Sequence, residues 1–541
     1  MFIKIKKKYG KNNIFLYILI NEHLKNSDLE KNYLKNLHFY SYEGVFQMFL
    51  KLIFLIYKKS INFMNKYEVV IGLEIHMRIK SKTKMFCSCK NAVELASESN
   101  INVCEVCMGF PGMLPSLNKE VIKLGVIGGM MMGCEVNKIS RFDRKSYFYP
   151  DLPNSFQTTQ LYEPIVGKGN VKVLVNGEER DFAIHHMHLE NDAGKLSHVG
   201  GKTLIDYNRA GSPLMEIVTD PVFHNKEEVM EFLKELQKMM RAAGVSDADM
   251  EKGQMRCDVN ISVRPEGVTT LGSRTETKNV NSFSAVGRVI DAESKRQIKI
   301  IEKGGEVDQE TRGWDDEKGV GVTQRSKEDA MDYRYFPEPD LLPVTLEDDF
   351  IQDCRNSLPT LPITKRIKYL KEYGLSQDDA RILTEHKSLS DYFDVLVKQT
   401  GDSKKSCSYI TTVLLALINE SDEINNISEL KFDISELVRV INLVNKSELS
   451  STNSKKVIEE LFNNGGMADT IIDENNLRQK NDLGALEEIV VQVLEQNQKQ
   501  VDDYKSGNTN IFGFFVGQCM KASKGQGNPK IFNELLKKKL K

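Results

Sequence analysis

Tyr67-Glu-Val-Val-Ile-Gly-Leu-Glu-Ile-His-Met77 is the stretch from which the fold is read. Successive side chains of an extended chain point to opposite sides. Val69, Ile71, Leu73 and Ile75 therefore share one face, and Glu74 and His76 share the other. The alternation returns three times. Ala183 to Glu190 puts His186, His188 and Glu190 opposite Met187 and Leu189. Pro213 to Thr219 groups Leu214, Glu216 and Val218, and Cys257 to Val263 sets Asp258, Asn260 and Ser262 against Val259, Ile261 and Val263. Such repetition favours a sheet with one solvated face. Two helices interrupt it. Asn225 caps a stripe of Val229, Phe232, Leu233, Leu236 and Met240 that stops at Gly244, and a second helix runs from about Ser284 to Lys303, before Gly304-Gly305.

Cysteines follow the first strand at once. Cys87-Ser-Cys89 and Cys104-Glu-Val-Cys107 are separated by fourteen residues. Four thiolates so spaced close around one tetrahedral zinc, as in a ribbon or knuckle. The alternative is four unpaired thiols in a reducing cytosol. Cys134, Cys257, Cys354, Cys407 and Cys519 are scattered and read as core.

A chain of 541 residues exceeds one core, and 40% hydrophobic with 28% charged residues is a globular composition. The net charge of −2 gives no global preference for nucleic acid, so any RNA site is a local patch. The first 63 residues hold eleven lysines and no arginine. Their longest apolar run, Val45 to Tyr57, is broken by Lys51 and too short to span a bilayer. Residues 1–65 are read as an extension outside the fold, with targeting or membrane association as the alternative. The expected class is α+β: a large mixed or antiparallel cradle with the zinc knuckle over 66–358, a helical domain over 359–466 and a small all-α tail over 467–541. Gly465-Gly466 is the expected hinge, and Gly513 with Gly517 a close helix-packing pair.

The polar strand faces carry the candidate chemistry. Glu74, His76, Glu190, Asp192 and Glu216 converge as hard ligands for Mg²⁺, with Mn²⁺ or an outer-sphere role for His76 left open. A solvated sheet face is the bland alternative. Lys195, Arg209, Arg256 and Lys278 are the bases that a phosphate-bearing ligand requires. Gly201-Lys202-Thr203 ends like a Walker A loop, but position 196 is leucine, so any ATP site has another design. Arg141 to Asp151 and Asp332 to Asp340 combine bases and aromatics suited to a nucleotide or RNA end. Residues 501–541 hold eight lysines against three acids, a patch for RNA that includes Lys521, Lys524 and Lys530.

Seven segments together resemble one family. They are Val70 to His76, Phe142 to Asp151, His188-Leu-Glu-Asn-Asp-Ala-Gly-Lys195, Asn208-Arg-Ala-Gly-Ser-Pro-Leu-Met-Glu216, Arg256-Cys-Asp-Val-Asn260, Lys278-Asn-Val-Asn-Ser282 and Asp332 to Asp340. They look like the B subunit of the tRNA-dependent amidotransferases, and Phe512 to Pro529 looks like its YqeY-type tail. The resemblance runs from about residue 66 to the end. It implies a cytoplasmic ligase forming C–N bonds with glutamine as amide donor. ATP and Mg²⁺ would serve phosphorylation of the side-chain carboxylate of Glu-tRNA(Gln) or Asp-tRNA(Asn), and ammonia would displace the phosphate. By position it implies Glu74, His76, Glu190 and Glu216 as magnesium ligands, Lys195 and Arg209 in the catalytic site, a structural zinc, and tRNA held by the tail. The partners implied are a glutaminase A subunit and a small C subunit, since no glutaminase nucleophile is evident in this chain. Asn191 departs from the acidic residue expected there. A non-catalytic tRNA-binding scaffold and a small-molecule carboxylate ligase are the competing readings.

Overall fold

A computed structural model of the chain describes residues 66–91, 98–326, 332–479, 482–523 and 525–540. The extension over 1–65 and Lys524 lie outside the described residues. Contacts divide the chain into two units. One takes in Glu68 and Arg264–Thr270, where Arg264 pairs with Glu68 at 2.8 Å. The other, Val69–Val263 with Leu271–Lys541, holds the helices, cores and candidate site described below, and all of the sheet except Tyr67, Glu68, Arg264 and Pro265.

Its centre is an eight-stranded sheet built from β1 (Tyr67–Arg78), β2 (Gly169–Val175), β3 (Glu178–Asn191), β4 (Pro213–Thr219), β5 (Met255–Pro265), β6 (Thr275–Val280), β7 (Glu310–Asp315) and β8 (Val320–Ser326). The spatial order is β8-β7-β6-β5-β1-β4-β3-β2. The β6–β7 pair is parallel, while β1–β4, β3–β4, β2–β3, β5–β6 and β7–β8 are antiparallel. The alternation is realised in β1, where Ile71, Leu73, Ile75 and Met77 are buried and Glu74, His76 and Arg78 are half-exposed.

Three helices cover the apolar face: α1 (Lys119–Met131), α2 (Lys226–Ala242) and α3 (Phe283–Glu302). The last two are those expected, and Asn225 caps α2 by accepting from the Glu228 N–H at 2.9 Å. Helix α1 is an addition to that expectation. Its glycines serve close approach: a Cβ at Gly129 would stand 2.6 Å from Val166, and one at Gly125 3.0 Å from Leu189 on β3. Asn118 supplies the helix start, accepting from Glu120 and Val121.

Beyond Pro359 the chain is helical. One core runs from Tyr369 through Phe393, Leu414, Leu437 and Leu461 to Ile472, and the last starts at Leu486 and includes Phe515 and Phe532. Helix Ala468–Glu474 packs in the former, so the change of core falls after Leu477 and not at Gly465-Gly466. Gly465 is a helix terminator: its φ is +71°, and its N–H donates to Leu461 at the end of helix Ser451–Asn464. The Gly513/Gly517 expectation also fails, since no atom lies within 4 Å of a Cβ at either; Phe515 and Cys519 are the residues that face the core.

Cradle and helical parts meet across a buried charge cluster. Helix Pro362–Lys371 has Leu361 at its N-cap and no side-chain cap of its own. Glu235 of α2 is buried beside the first turn of this helix, close enough to Ile363 for its backbone to act on the carboxyl, and its Oε1 has no hydrogen-bond partner among the described residues. Lys238 reaches Glu385 at 3.2 Å beside it, and burial, against Lys238 and Arg366, pushes Glu235 up to about 7. Among the described residues no helix is long and apolar enough to cross a membrane.

Candidate active site

The polar face of the sheet gathers its charges across adjacent strands. Register sets His76 of β1 and His188 of β3 on either side of Glu216 of β4. His76 Nε2 lies 3.1 Å and His188 Nε2 3.4 Å from Glu216 Oε2, and Glu190 is 3.7 Å from His76 and 3.9 Å from His188. Burial opposes charge on His76, yet its hydrogen bond and attraction to Glu216, with Glu190 and Asp258, push it up to about 9. Against the same penalty, Glu216 and Glu190 push His188 up to about 10. Both histidines in turn hold Glu216 well below the carboxylate range despite its burial. One ligand atom each of His76, Glu190 and Glu216 fits within 4.8 Å, as one cation requires.

Glu74 does not join them. Its carboxylate accepts from Asn260 at 3.0 Å and groups with Asp258 of β5 and Glu276 of β6. Lys278 bridges that second group, 2.8 Å from both Asp258 and Glu276. Burial, then Glu216 and Glu276, raise Glu74 above the usual carboxylate range.

A cavity of about 400 Å³ opens between the two groups, lined by His76, Lys195, Leu196, Arg209, Arg256, Asp258 and Lys278 among others. All four bases expected to meet phosphate thus reach one hollow. Arg209 is fixed by bonds to the Ala193 and Gly194 carbonyls at 3.0 and 2.6 Å and lies 3.3 Å from Asp192. Lys195 opens the hairpin Lys195–Val199/Lys202–Asp206, whose turn is Gly200-Gly201, so Gly201-Lys202-Thr203 forms no phosphate loop.

Cys87, Cys89, Cys104 and Cys107 also come together, their sulfurs within 4.8 Å of one another. The Cys104 N–H points at Cys107 Sγ, 3.2 Å away. A hydrogen bond with Cys87, against burial, then Cys104 and Lys84, pull Cys107 down to about 5. One metal ion can reach all four.

Residues 69–352 match a family described as the GatB/GatE catalytic domain, and 391–540 match its GatB domain. The chain is 43% identical over 481 residues to the B subunit of the aspartyl/glutamyl-tRNA(Asn/Gln) amidotransferase of Caldicellulosiruptor bescii, covering 88% of this chain and 99% of that protein. The Persephonella marina protein of the same name is 44% identical over 478 residues, covering 88% of this chain and all of that protein (100%). The chain belongs to the GatB/GatE family.

Within this GatB/GatE chain the two aromatic-basic segments meet each other. Arg144 binds Glu338 in bidentate fashion at 2.8 and 2.7 Å and Asp340 at 2.8 Å, so it is spent on the fold. Lys145 sits over the Tyr333 ring, 4.9 Å from its centroid, and burial is outweighed by Glu190, Tyr335 and Glu216, which raise its pKa. Asn191 points away from the histidines: buried, it accepts from the Thr158 N–H at 2.8 Å. His188, Asp258 and Glu276 join the site without being among the expected ligands. The first two stand on recognised polar faces, and Thr275-Glu-Thr-Lys278 carries the same alternation for Glu276. Arg78, two residues beyond His76 on β1, is a further addition, close enough to Asp192, Arg209 and Arg256 to interact with their charges. In the tail, Lys521 and Lys530 are exposed.

Proposed function

We propose that the chain is the B subunit of an aspartyl/glutamyl-tRNA amidotransferase in the cytoplasm, and that it carries the kinase and transamidase site. The observation that supports this most is the single cavity where Lys195, Arg209, Arg256 and Lys278 meet His76. A triphosphate needs several fixed cations, and a lone surface lysine does not provide them.

Arg209, Arg256, Lys278 and Lys195 would hold the phosphates of ATP. His76, Glu190 and Glu216 would hold a divalent cation, with Glu74 and its oxygen-rich group alongside. The donor set fits: the two carboxylates are anionic oxygen donors of the kind that suits Mg²⁺ or Mn²⁺, and His76 would bind directly or act from the outer sphere. When bound, that ion supplies neutralisation of charge on the transferring phosphoryl group. Arg209, clamped by two carbonyls, would present a fixed cation to the γ-phosphate. One oxygen of the aminoacyl side-chain carboxylate attacks the γ-phosphorus, and the bond to ADP breaks. Ammonia then attacks the acyl carbon and phosphate leaves with the former C–O electrons. Both the acyl phosphate and ammonia would need shelter from water, which the assembled complex would supply.

The four cysteines would hold a structural zinc. Glutaminase A and small C subunits would complete the assembly, and Lys521, Lys524 and Lys530 would grip tRNA phosphates.

The test is amide formation on Glu-tRNA(Gln) and Asp-tRNA(Asn) by the reconstituted complex, with and without ATP. Amide on either tRNA only with ATP is the expected result. Tight tRNA binding with amidation unchanged by Glu190→Gln would favour the scaffold reading instead.

A further inference from the structure

Lys84 is among the most deeply buried side chains of the protein, with no exposed surface. A buried ammonium requires a counter-charge, and its absence is costly. Among the described residues, no carboxylate pairs with it. Its Nζ donates to the Asn102 carbonyl at 2.8 Å, and its other partner is Cys107 Sγ at 3.6 Å. The stem runs under the loop that carries Arg209: a Cβ at Gly211, where φ is +82°, would stand 3.7 Å from Lys84 Cδ and 3.5 Å from Cys107 Cβ. Met85 N–H bonds the Gly211 carbonyl at 2.9 Å, and Asn102 N–H bonds Asn208 Oδ1 at 2.8 Å. The amine is thus walled in beside the sulfurs.

Without a metal, Cys107 is, among the described residues, the one sulfur within reach of the Lys84 ammonium, at 3.6 Å. Four thiolates around a divalent zinc would set a net charge of −2 against it. We infer that Lys84 is a positioning residue for the metal: it is the counter-charge of the tetrathiolate, and it locks Cys107 in ligating geometry. This rests on the zinc reading of the cysteine cluster. Groups that hydrogen-bond metal ligands tune retention by about 10–100-fold.

The experiment uses the full chain in complex with its partner subunits. Zinc release to a chromogenic chelator and alkylation of Cys107 are followed in wild type, Lys84→Met and Lys84→Arg. Release from Lys84→Met should be about tenfold faster or more, with Cys107 alkylated, and Lys84→Arg should recover most of the retention. Equal release from wild type and Lys84→Met overturns the role of Lys84. Wild-type protein without zinc overturns the cluster reading itself. Should Lys84→Met fold poorly, the Cys104→Ser/Cys107→Ser background decides. There the lysine has lost its counter-charge, so adding Lys84→Met should raise the melting temperature. A fall as large as in wild type would sink the proposal.

Discussion

Two carboxylate groups lie side by side on one sheet face, and their charge is balanced in opposite ways. Glu190 and Glu216 are balanced by His76 and His188, bases that can give up a proton. Asp258 and Glu276 are balanced by Lys278, which burial opposes but whose pKa those same acids raise. On the proposed reading, a cation arriving at the first group would displace protons; at the second it would have to displace a lysine. The first would then be an exchangeable site and the second a fixed wall, a distinction that ligand type alone would not reveal.

The largest expected effect comes from neutralising one acid in each group. Glu190→Gln should lower ATP-dependent amidation by about 100-fold or more, and Glu276→Gln by about tenfold. Steady-state rates at saturating divalent cation measure this, with partner glutaminase activity as the control. Equal losses would erase the contrast.

A smaller effect follows from pH. With no cation bound, His76 is pushed up to about 9 and must shed a proton before its nitrogen can ligate, while His188, pushed up to about 10, sets a competing positive charge beside Glu216. Manganese affinity should therefore rise between pH 6.5 and 8.5, by up to about tenfold per unit for each proton displaced. His188→Asn should flatten the rise, whereas Lys278→Met should leave its slope intact. A pH-independent affinity in wild type would show that the histidines do not act as exchangeable partners.

The smallest effect is on stability. Both histidines have folded pKa values above the unfolded value of about 6.5. Their stabilisation is complete below pH 6.5 and is lost as pH rises through about 9 and 10. Cation-free protein should melt about 2–4 °C lower at pH 9.5 than at pH 7, and less so as His188→Asn. Calorimetry in a chelating buffer checks it; a melting temperature that climbs over this range would contradict the assignment.

The two groups also show how much of such a site is legible in a sequence. Alternation assigns a residue to a face, and Glu74, His76, Glu190 and Glu216 do share the polar one. It does not say which strand lies next door. Because β1 sits between β4 and β5, His76 turns to Glu216 while Glu74 turns to Asn260. The four phosphate-seeking bases are legible one at a time, from chemistry and resemblance. Their convergence depends on sheet order and on the Arg209 loop, which no local pattern encodes. Glycines mislead most. Those of α1 lie in a helix outside the expected two and are contact points, while Gly513 and Gly517 look like contact points and, among the described residues, have no neighbour within 4 Å of an added Cβ outside their own helix backbone. A glycine records that room was needed, without recording what fills it. The cysteines need no such context, because their spacing alone brings four sulfurs within reach.

Glu235 carries a consequence for how the chain comes to be folded. Helix Pro362–Lys371 begins, without a side-chain cap, against a buried carboxyl more than a hundred residues earlier. During synthesis, α2 emerges before the helix that packs beside it. A fragment beginning at Leu361 would keep its own core but lose that neighbour, and Arg366 would lose the buried acid whose charge it faces. The joint between the two parts is lined by a side chain belonging to the earlier one.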